Sequence, residues 1–294
     1  MSQQWFPEDW LDYELIDAGL GWRLERFGDL VLRRPDITAE QAPVLSQQEW
    51  YRTADSVFRE SDRTRGDWTP PHVAPKDWQI SYPLQFGPKS KRRTVHLNFS
   101  LELTRFKHVG VFPEQAANWA WIADKVRPGM RVLNLFAYTG GASLAARAAG
   151  ADVTHVDSIR QVVSWTRRNM ELSGLEGIRW CVEDAMKFVA RENRRGRQYD
   201  MIIMDPPAFG LGPKGERWRL EQRIADLIDS TAALLDGGGY IVMNTYAGFA
   251  PDVLHGMWKY ALREAEIEAG ELCLKARTGR IVSTGSLVRL HLPK

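Results

Sequence analysis

The stretch MRVLNLFAYTGGASLAARAAGADVTHVD, Met130 to Asp157, decides the fold. Its apolar opening predicts a buried strand, and Gly140-Gly141 ends it. Ala142–Gly150 predicts a short helix, and ADVTHVD a second strand. A strand, a helix and a strand this closely spaced form a parallel crossover unit. The alternation then continues outward. Helices are expected over IRQVVSWTRRNMELSG (159–174), AMKFVARENRRG (185–196), RWRLEQRIADLIDSTAALLDGGG (217–239) and PDVLHGMWKYALREAEIEAG (251–270). Strands are expected over IRWCVED (178–184), YDMIIMD (199–205), YIVMNTY (240–246), ELCLKA (271–276) and GSLVRLHL (285–292). Such alternation predicts a Rossmann-like α/β domain, an open and mostly parallel sheet covered on both faces.

Upstream the texture changes. YELIDAGLGWRLERFGDLVLRRP (13–35) has short alternating segments between Gly turns, as in a β-meander. RTRGDWTPPHVAP (63–75) is a Pro/Gly loop, and KSKRR (89–93) joins two strand-like runs, DWQISYPLQFG and TVHLNFSLELTRF. Residues 1–106 are therefore expected to form a small β-rich N-terminal domain for substrate recognition, and residues 107–294 the catalytic domain.

The chain has 294 residues and a net charge of +2, with 14 Lys/Arg and 16 Asp/Glu in residues 1–106. That balance permits a nucleic-acid substrate without demanding one. The start, MSQQWFPEDWLDYELIDAGLG, has early carboxylates and no basic segment leading into an apolar one, so a secretory signal is not expected. No apolar run is long enough for a membrane span. The only cysteines are Cys181 and Cys273, and none of the six His stands at metal-ligand spacing with a second ligand. The expectation is a cytoplasmic protein with no metal and no membrane association. Twelve Trp point first to an aromatic core and second to platforms for bases.

Open α/β sheets bind ligands at the carboxyl ends of their strands. The ends here carry Asn134 through Gly141, then Asp157, then Glu183-Asp184, then Asp205-Pro206-Pro207, then Asn244-Thr245-Tyr246. Asp157 stands near the separation from the Gly turn at which nucleotide-binding folds place the acid for ribose hydroxyls. No GxxxxGK[ST] occurs, and AYTGG departs from GxGxxG. An adenosine without phosphates fits best, which points to S-adenosyl-L-methionine.

VGVFPEQ, VLNLFAYTGG, HVDS, VEDAMKF and MDPPAFG, in that order, make segment 107–294 similar to class I S-adenosylmethionine-dependent methyltransferases. More narrowly, it resembles bacterial large-subunit rRNA methyltransferases of the 5-methylcytosine and 7-methylguanine branch. The resemblance implies a cofactor site over Phe112, Gln115, Asn134, Phe136, Ala137, Tyr138, Thr139, Gly140, Gly141, Asp157, Ser158, Glu183, Asp184, Ala185 and Asp205. It makes Asp205, Pro206 and Pro207 the floor between methyl donor and acceptor, with Phe209 available to stack on a base. Relatives show Asp-Gln-Arg where this chain has Glu114-Gln115-Ala116, so the arginine is absent.

Methylation at a ring carbon needs a cysteine nucleophile. The 5-methylcytosine relatives carry it after the fifth strand, where this chain reads VMNTYAGF. Cys181 and Cys273 read as packing residues. A nitrogen acceptor on ribosomal RNA is therefore expected. The alternatives are a methyltransferase for a protein or small molecule, and a cofactor-binding RNA module without catalysis. Lys214, Arg217 and Arg219, just after the Pro-Pro loop, are placed to meet an anionic substrate, ahead of RENRRGR (191–197).

Overall fold

The computed structural model describes residues 3–8, 10–61, 65–70, 73–211, 217–246 and 248–294. Lys214 lies outside them. The N-terminal part contains β1 (Gln3–Trp5), β2 (Tyr13–Gly19), β3 (Trp22–Phe27), β4 (Leu30–Pro35), α1 (Gln47–Thr53), β5 (Ser56–Glu60), β6 (Gly66–Thr69), β7 (Gln79–Phe86) and β8 (Arg93–Ser100). Then follow α2 (Ala116–Lys125), β9 (Arg131–Leu135), α3 (Gly141–Ala148), β10 (Asp152–Asp157), α4 (Arg160–Leu172), β11 (Arg179–Val182) and α5 (Ala185–Arg194). The chain ends with β12 (Tyr199–Met204), β13 (Phe209–Leu211), β14 (Arg217–Arg219), α6 (Leu220–Ala232), β15 (Leu235–Thr245), α7 (Pro251–Ala261), β16 (Glu266–Lys275) and β17 (Ile281–Leu292).

The large sheet has the order β1-β16-β17-β15-β12-β9-β10-β11. β17 runs antiparallel to both neighbours, and the other pairs are parallel. The chain moves outward from β9 to β11, then returns to the other side of β9 with β12. That reversal of direction splays the connecting loops apart and opens a crevice at the strand ends. A second sheet, β2-β3-β4-β5-β6, and the β7–β8 hairpin hold most of the N-terminal part.

Three elements differ from the sequence expectation. β1, grouped by sequence with the N-terminal domain, is the edge strand of the large sheet, with Gln3 opposite Gly270. The helix expected over 251–270 stops at Ala261, and Glu266–Gly270 opens β16 instead. Gly270 serves close approach: a Cβ there would sit 2.1 Å from the Gln3 carbonyl oxygen. The helix expected over 217–239 is confined to α6. Arg217–Arg219 pairs with Phe209–Leu211 as a short hairpin, and β15 already starts at Leu235.

The early Trp residues form core. The rings of Trp10 and Tyr82 lie 5.0 Å apart, Trp10 and Trp119 lie 5.6 Å apart, and Phe99 stacks on Trp119 at 5.1 Å. One buried cluster therefore runs from the N-terminal sheet, through the β7–β8 hairpin, onto α2 and α3. A second fills the opposite face of the large sheet around Phe188, Leu227 and Trp258. No helix among the described residues is long and apolar enough to cross a membrane.

The N-terminal sheet also buries charge. Glu25 is fully buried and accepts from Tyr13 Oη at 2.8 Å and Arg34 Nη2 at 3.0 Å. Arg23 stands 3.8 Å from it and pairs with Asp36. Burial alone would raise the Glu25 carboxyl, but Arg34 and Arg23 hold it below its ordinary value. Breaking such a set by removing one member leaves guanidinium charge buried without its counter-ion. Glu25→Ala should lower the unfolding free energy by about 3–5 kcal/mol in urea denaturation. Because the carboxyl is depressed in the folded state, this contribution is present above about pH 4.5 and is lost as pH falls through the folded value. The difference between wild type and variant should narrow correspondingly in acid.

Candidate active site

A cleft of about 1490 Å³ opens at the strand ends of the large sheet. Small-molecule pockets typically span about 300–1,000 Å³, so one nucleoside-sized ligand leaves room for a second group. Of the residues expected at the site, Phe112, Phe136, Tyr138, Asp157, Ser158, Glu183, Asp184, Ala185, Asp205, Pro207 and Phe209 line it. Phe136 and Tyr138 carry the chain out of β9 at φ 53° and 46°, left-handed values that non-glycine residues rarely hold. Backbone outliers of this kind cluster at functional sites.

Asn134, Ala137, Thr139, Gly140, Gly141, Pro206 and Gln115 are not among the residues that line the cleft. Asn134 is buried and donates to Ser143 Oγ at 2.9 Å, and Thr139 donates to the Gly110 carbonyl at 2.6 Å. The two glycines are required by packing. A Cβ on Gly140, at φ 89°, would lie 2.0 Å from Thr166 Cγ2, and one on Gly141 would lie 2.3 Å from Trp119. Small residues here let α3 settle against α2 and α4.

The acids differ in what holds them. Asp157, half-buried, accepts the Tyr138 N–H on Oδ2 and the Ile159 N–H on Oδ1, both at 2.9 Å. The Ser158 N–H bonds this carboxylate as well, some acceptor capacity remains, and burial pushes its carboxyl above the ordinary range. Asp184 caps α5 by accepting the Lys187 N–H at 2.9 Å. Glu183 is paired with Arg191. At the floor, Asp205 accepts from Asn244 Nδ2 on Oδ1 at 3.3 Å. On Oδ2 it accepts from Gln115 Nε2 at 3.2 Å and Tyr246 Oη at 3.4 Å. Burial pushes the Asp205 carboxyl up to about 7, with nearby Glu114 adding to the rise. Gln115, expected on the cofactor, thus supports Asp205 from behind.

Phe209 is 71% exposed at the mouth, on the short hairpin opposite Arg219. It is free of the core. Its neighbour Trp218 donates to the Pro207 carbonyl at 2.6 Å and packs on Phe136 at 5.0 Å, so it pins the Pro-Pro loop to the Gly turn. Sequence reasoning missed Trp218, because three-residue strands have no periodicity to read. It also missed the far wall, where Arg23, Arg34, Asp36 and His108 face the cleft from the N-terminal side. Glu114, almost fully buried, joins them with Oε2 unpartnered. Neither cysteine lines the cleft. Cys273 is buried in β16, its thiol pushed up to about 11, and burial raises the Cys181 thiol as well.

An adenosine-bearing amino acid such as S-adenosyl-L-methionine fits this donor set. Asp157 has free acceptor sites for ribose hydroxyls, aromatic rings flank the Gly turn, and the orphaned Glu114 oxygen suits an ammonium group.

Comparison with known proteins agrees. The profile of the S-adenosylmethionine-dependent methyltransferase family matches residues 83–266. The crystal structure of the SAM-dependent methyltransferase from Agrobacterium tumefaciens superposes with a TM-score of 0.83 at 35% identity, covering 100% of this chain and 94% of that one. Ribosomal RNA large subunit methyltransferase K/L of Shewanella frigidimarina is 30% identical over 184 residues, covering 60% of this chain and 25% of the relative. Its namesake from Magnetococcus marinus is 33% identical over 154 residues, 51% of this chain and 21% of the relative. The chain thus spans about a quarter of the length of these curated relatives.

Asp157→Ala should leave the melting profile intact but weaken S-adenosylhomocysteine binding by about 2 kcal/mol, as expected for losing hydrogen bonds to a charged group. Titration calorimetry reads this directly, and unchanged affinity would move the ribose elsewhere.

Proposed function

The chain belongs to the S-adenosylmethionine-dependent methyltransferase family, and on that premise we propose that it methylates a base nitrogen of RNA, ribosomal RNA in particular, without a covalent cysteine intermediate. The observation that carries this reading is Asp205. Its carboxyl has a value near neutrality and faces the cleft floor beside an exposed aromatic ring. A group with that value is matched to accepting a proton at physiological pH.

When bound, S-adenosylmethionine supplies a methyl group activated on a positively charged sulfur. In this proposal Phe112, Tyr138, Asp157 and Ser158 hold the nucleoside part, while Glu183, Asp184 and Ala185 border the adenine. Pro206 and Pro207 stiffen the floor, which fixes the approach of the acceptor. Asp205 Oδ1, which keeps a free lone pair beside its bond from Asn244, takes the proton that the acceptor nitrogen sheds, and Phe209 stacks on the base. Residues 1–106 supply substrate recognition. Support for RNA comes from the distribution of charge. Arg105 and Arg160 are exposed on the lining, and Arg217 and Arg219 flank Phe209, whereas Asp157, Glu183 and Asp205 lie deeper. Phosphates would meet cations at the rim, and an extruded base would meet carboxylates within. The names of the curated relatives point the same way.

Transfer of labelled methyl groups to total RNA and to total protein, followed by mass spectrometry of nucleosides, tests the reading; label confined to protein would overturn it. Asp205→Asn should lower single-turnover transfer at least tenfold, with cofactor affinity little changed. The wild-type rate should rise with pH through about 7 as the carboxylate forms, and the variant should lose that limb. Phe209→Ala should weaken RNA binding by about 1–3 kcal/mol and leave cofactor binding intact. Replacing both Cys181 and Cys273 with Ser should preserve transfer within a few-fold.

A further inference from the structure

Two of the donors on Asp205 are side-chain amides, and an amide turned by 180° presents a carbonyl oxygen instead. Against a carboxylate that orientation is repulsive, and a partner on the other atom of the amide reinforces the favourable direction. For Gln115 the fixing partner is Asn118 on the first turn of α2, whose Nδ2 donates to Gln115 Oε1 at 2.8 Å. Asn118 is ambiguous in the same way, but its Oδ1 accepts from Arg289 of β17, through Nη2 at 2.9 Å and Nε at 3.3 Å. A guanidinium has five donors and no acceptor, so it cannot be reversed. The relay Arg289 → Asn118 → Gln115 → Asp205 therefore has one polarity, held by a donor-only group at one end and an acceptor-only carboxylate at the other, and Gln115 Nε2 also reaches Tyr246 Oη at 3.1 Å.

Arg289 is built in for this. It is 5% exposed, its guanidinium lies 5.0 Å from the centre of the Trp5 ring and 5.5 Å from that of Trp121, and Nη2 also donates to the Ala117 carbonyl at 2.9 Å. Among the described residues it has no ion pair: Glu268 opposes it across the β16–β17 ladder without closing to salt-bridge distance. A buried guanidinium whose partners are an amide and a backbone carbonyl is costly to maintain for stability alone.

We propose that Arg289 is a positioning residue, which through Asn118 and Gln115 keeps an N–H, never a carbonyl, facing the carboxylate of Asp205. The inference rests on the role given to Asp205 above. The other groups facing Asp205 are Glu114, on the same turn as Gln115, and Asn244 and Tyr246 at the end of β15; none of them contacts Arg289.

The test is the titration of the Asp205 carboxyl, followed by carbon-13 NMR in the S-adenosylhomocysteine complex, alongside the pH profile of single-turnover transfer. Arg289→Met should move both midpoints to higher pH and lower the rate at pH 7 about tenfold. Arg289→Lys, which keeps a donor, should restore most of the shift. In a Gln115→Ala background, Arg289→Met should add no further shift. Should Arg289→Met fail to fold, Asn118→Leu decides the matter, since it breaks the same relay with the arginine retained. Unmoved midpoints, or an equal shift without Gln115, would reduce Arg289 to a packing residue. The NMR titration needs no turnover, so a wild-type protein that titrates as expected yet transfers no methyl to RNA would overturn the functional reading and leave the relay standing.

Discussion

A carboxylate at the end of a buried strand can be kept only where donors reach it, and the surroundings of Asp205 are arranged by that requirement. β12 lies beside β9, at the point where strand order reverses, so its carboxyl end projects into a crevice instead of a packed layer. Pro206 and Pro207 then stop the ladder, since neither can donate to a neighbouring strand. The donors come from elsewhere: Gln115 from the turn before α2, Asn244 and Tyr246 from the end of β15. Three separate parts of the chain must be in register for one side chain. Even so, three neutral donors do not fully offset burial with Glu114 nearby, and the carboxyl remains close to neutrality. A carboxyl held in that range is matched to the proton-accepting role proposed for it above.

The parallel core was legible because its strands are short, apolar and bounded by Gly, Pro or Asp, and its helices carry a periodic apolar face. Legibility failed where local pattern and tertiary pairing disagree. ALREAEIEAG has the composition of a helix, yet from Glu266 onward it is held extended by ten registered pairs with β17. β1 is only three residues long, too short for any periodic signal, and its place is set by Gly270 admitting the Gln3 backbone. The site divides in the same manner. Asp157, Glu183 and Asp205 follow from strand ends and could be named in advance. Trp218 and Arg289 act across the fold, and nothing in their own sequence neighbourhoods announces what they touch. Gly140 and Gly141 are further held to glycine by Thr166 and Trp119, neighbours that lie outside their own stretch of sequence.

The N-terminal part is no loosely attached appendage. Trp10, Tyr82, Phe99 and Trp119 interlock across the seam, and the hydrophobic cluster is continuous through it. A rigid seam of this kind fixes one wall of the cleft relative to the strand ends, so Arg23, Arg34 and Asp36 meet the site at set positions. The buried ion network around Glu25 serves the same end. It holds two arginines in orientation and largely neutralises them, leaving an ordered polar wall in place of a mobile basic one.

That neutralisation bears on how an anionic substrate would be directed. Had Arg23 and Arg34 been unpaired, the deepest positive charge would lie beside the floor and would draw a phosphate down to it. With those two paired to Glu25 and Asp36, the cations without an ion pair among the described residues include the exposed Arg105, Arg160, Arg217 and Arg219. The depth of the cleft retains the carboxyls of Asp157 and Asp205, Glu183 being paired with Arg191. A field arranged in this order attracts a polyanionic backbone to the rim and resists its descent, while a neutral base with hydrogen-bond donors is favoured below. In the proposed reading, separation of charge by depth would sort the two halves of a nucleotide, with the exposed ring of Phe209 at the boundary between them.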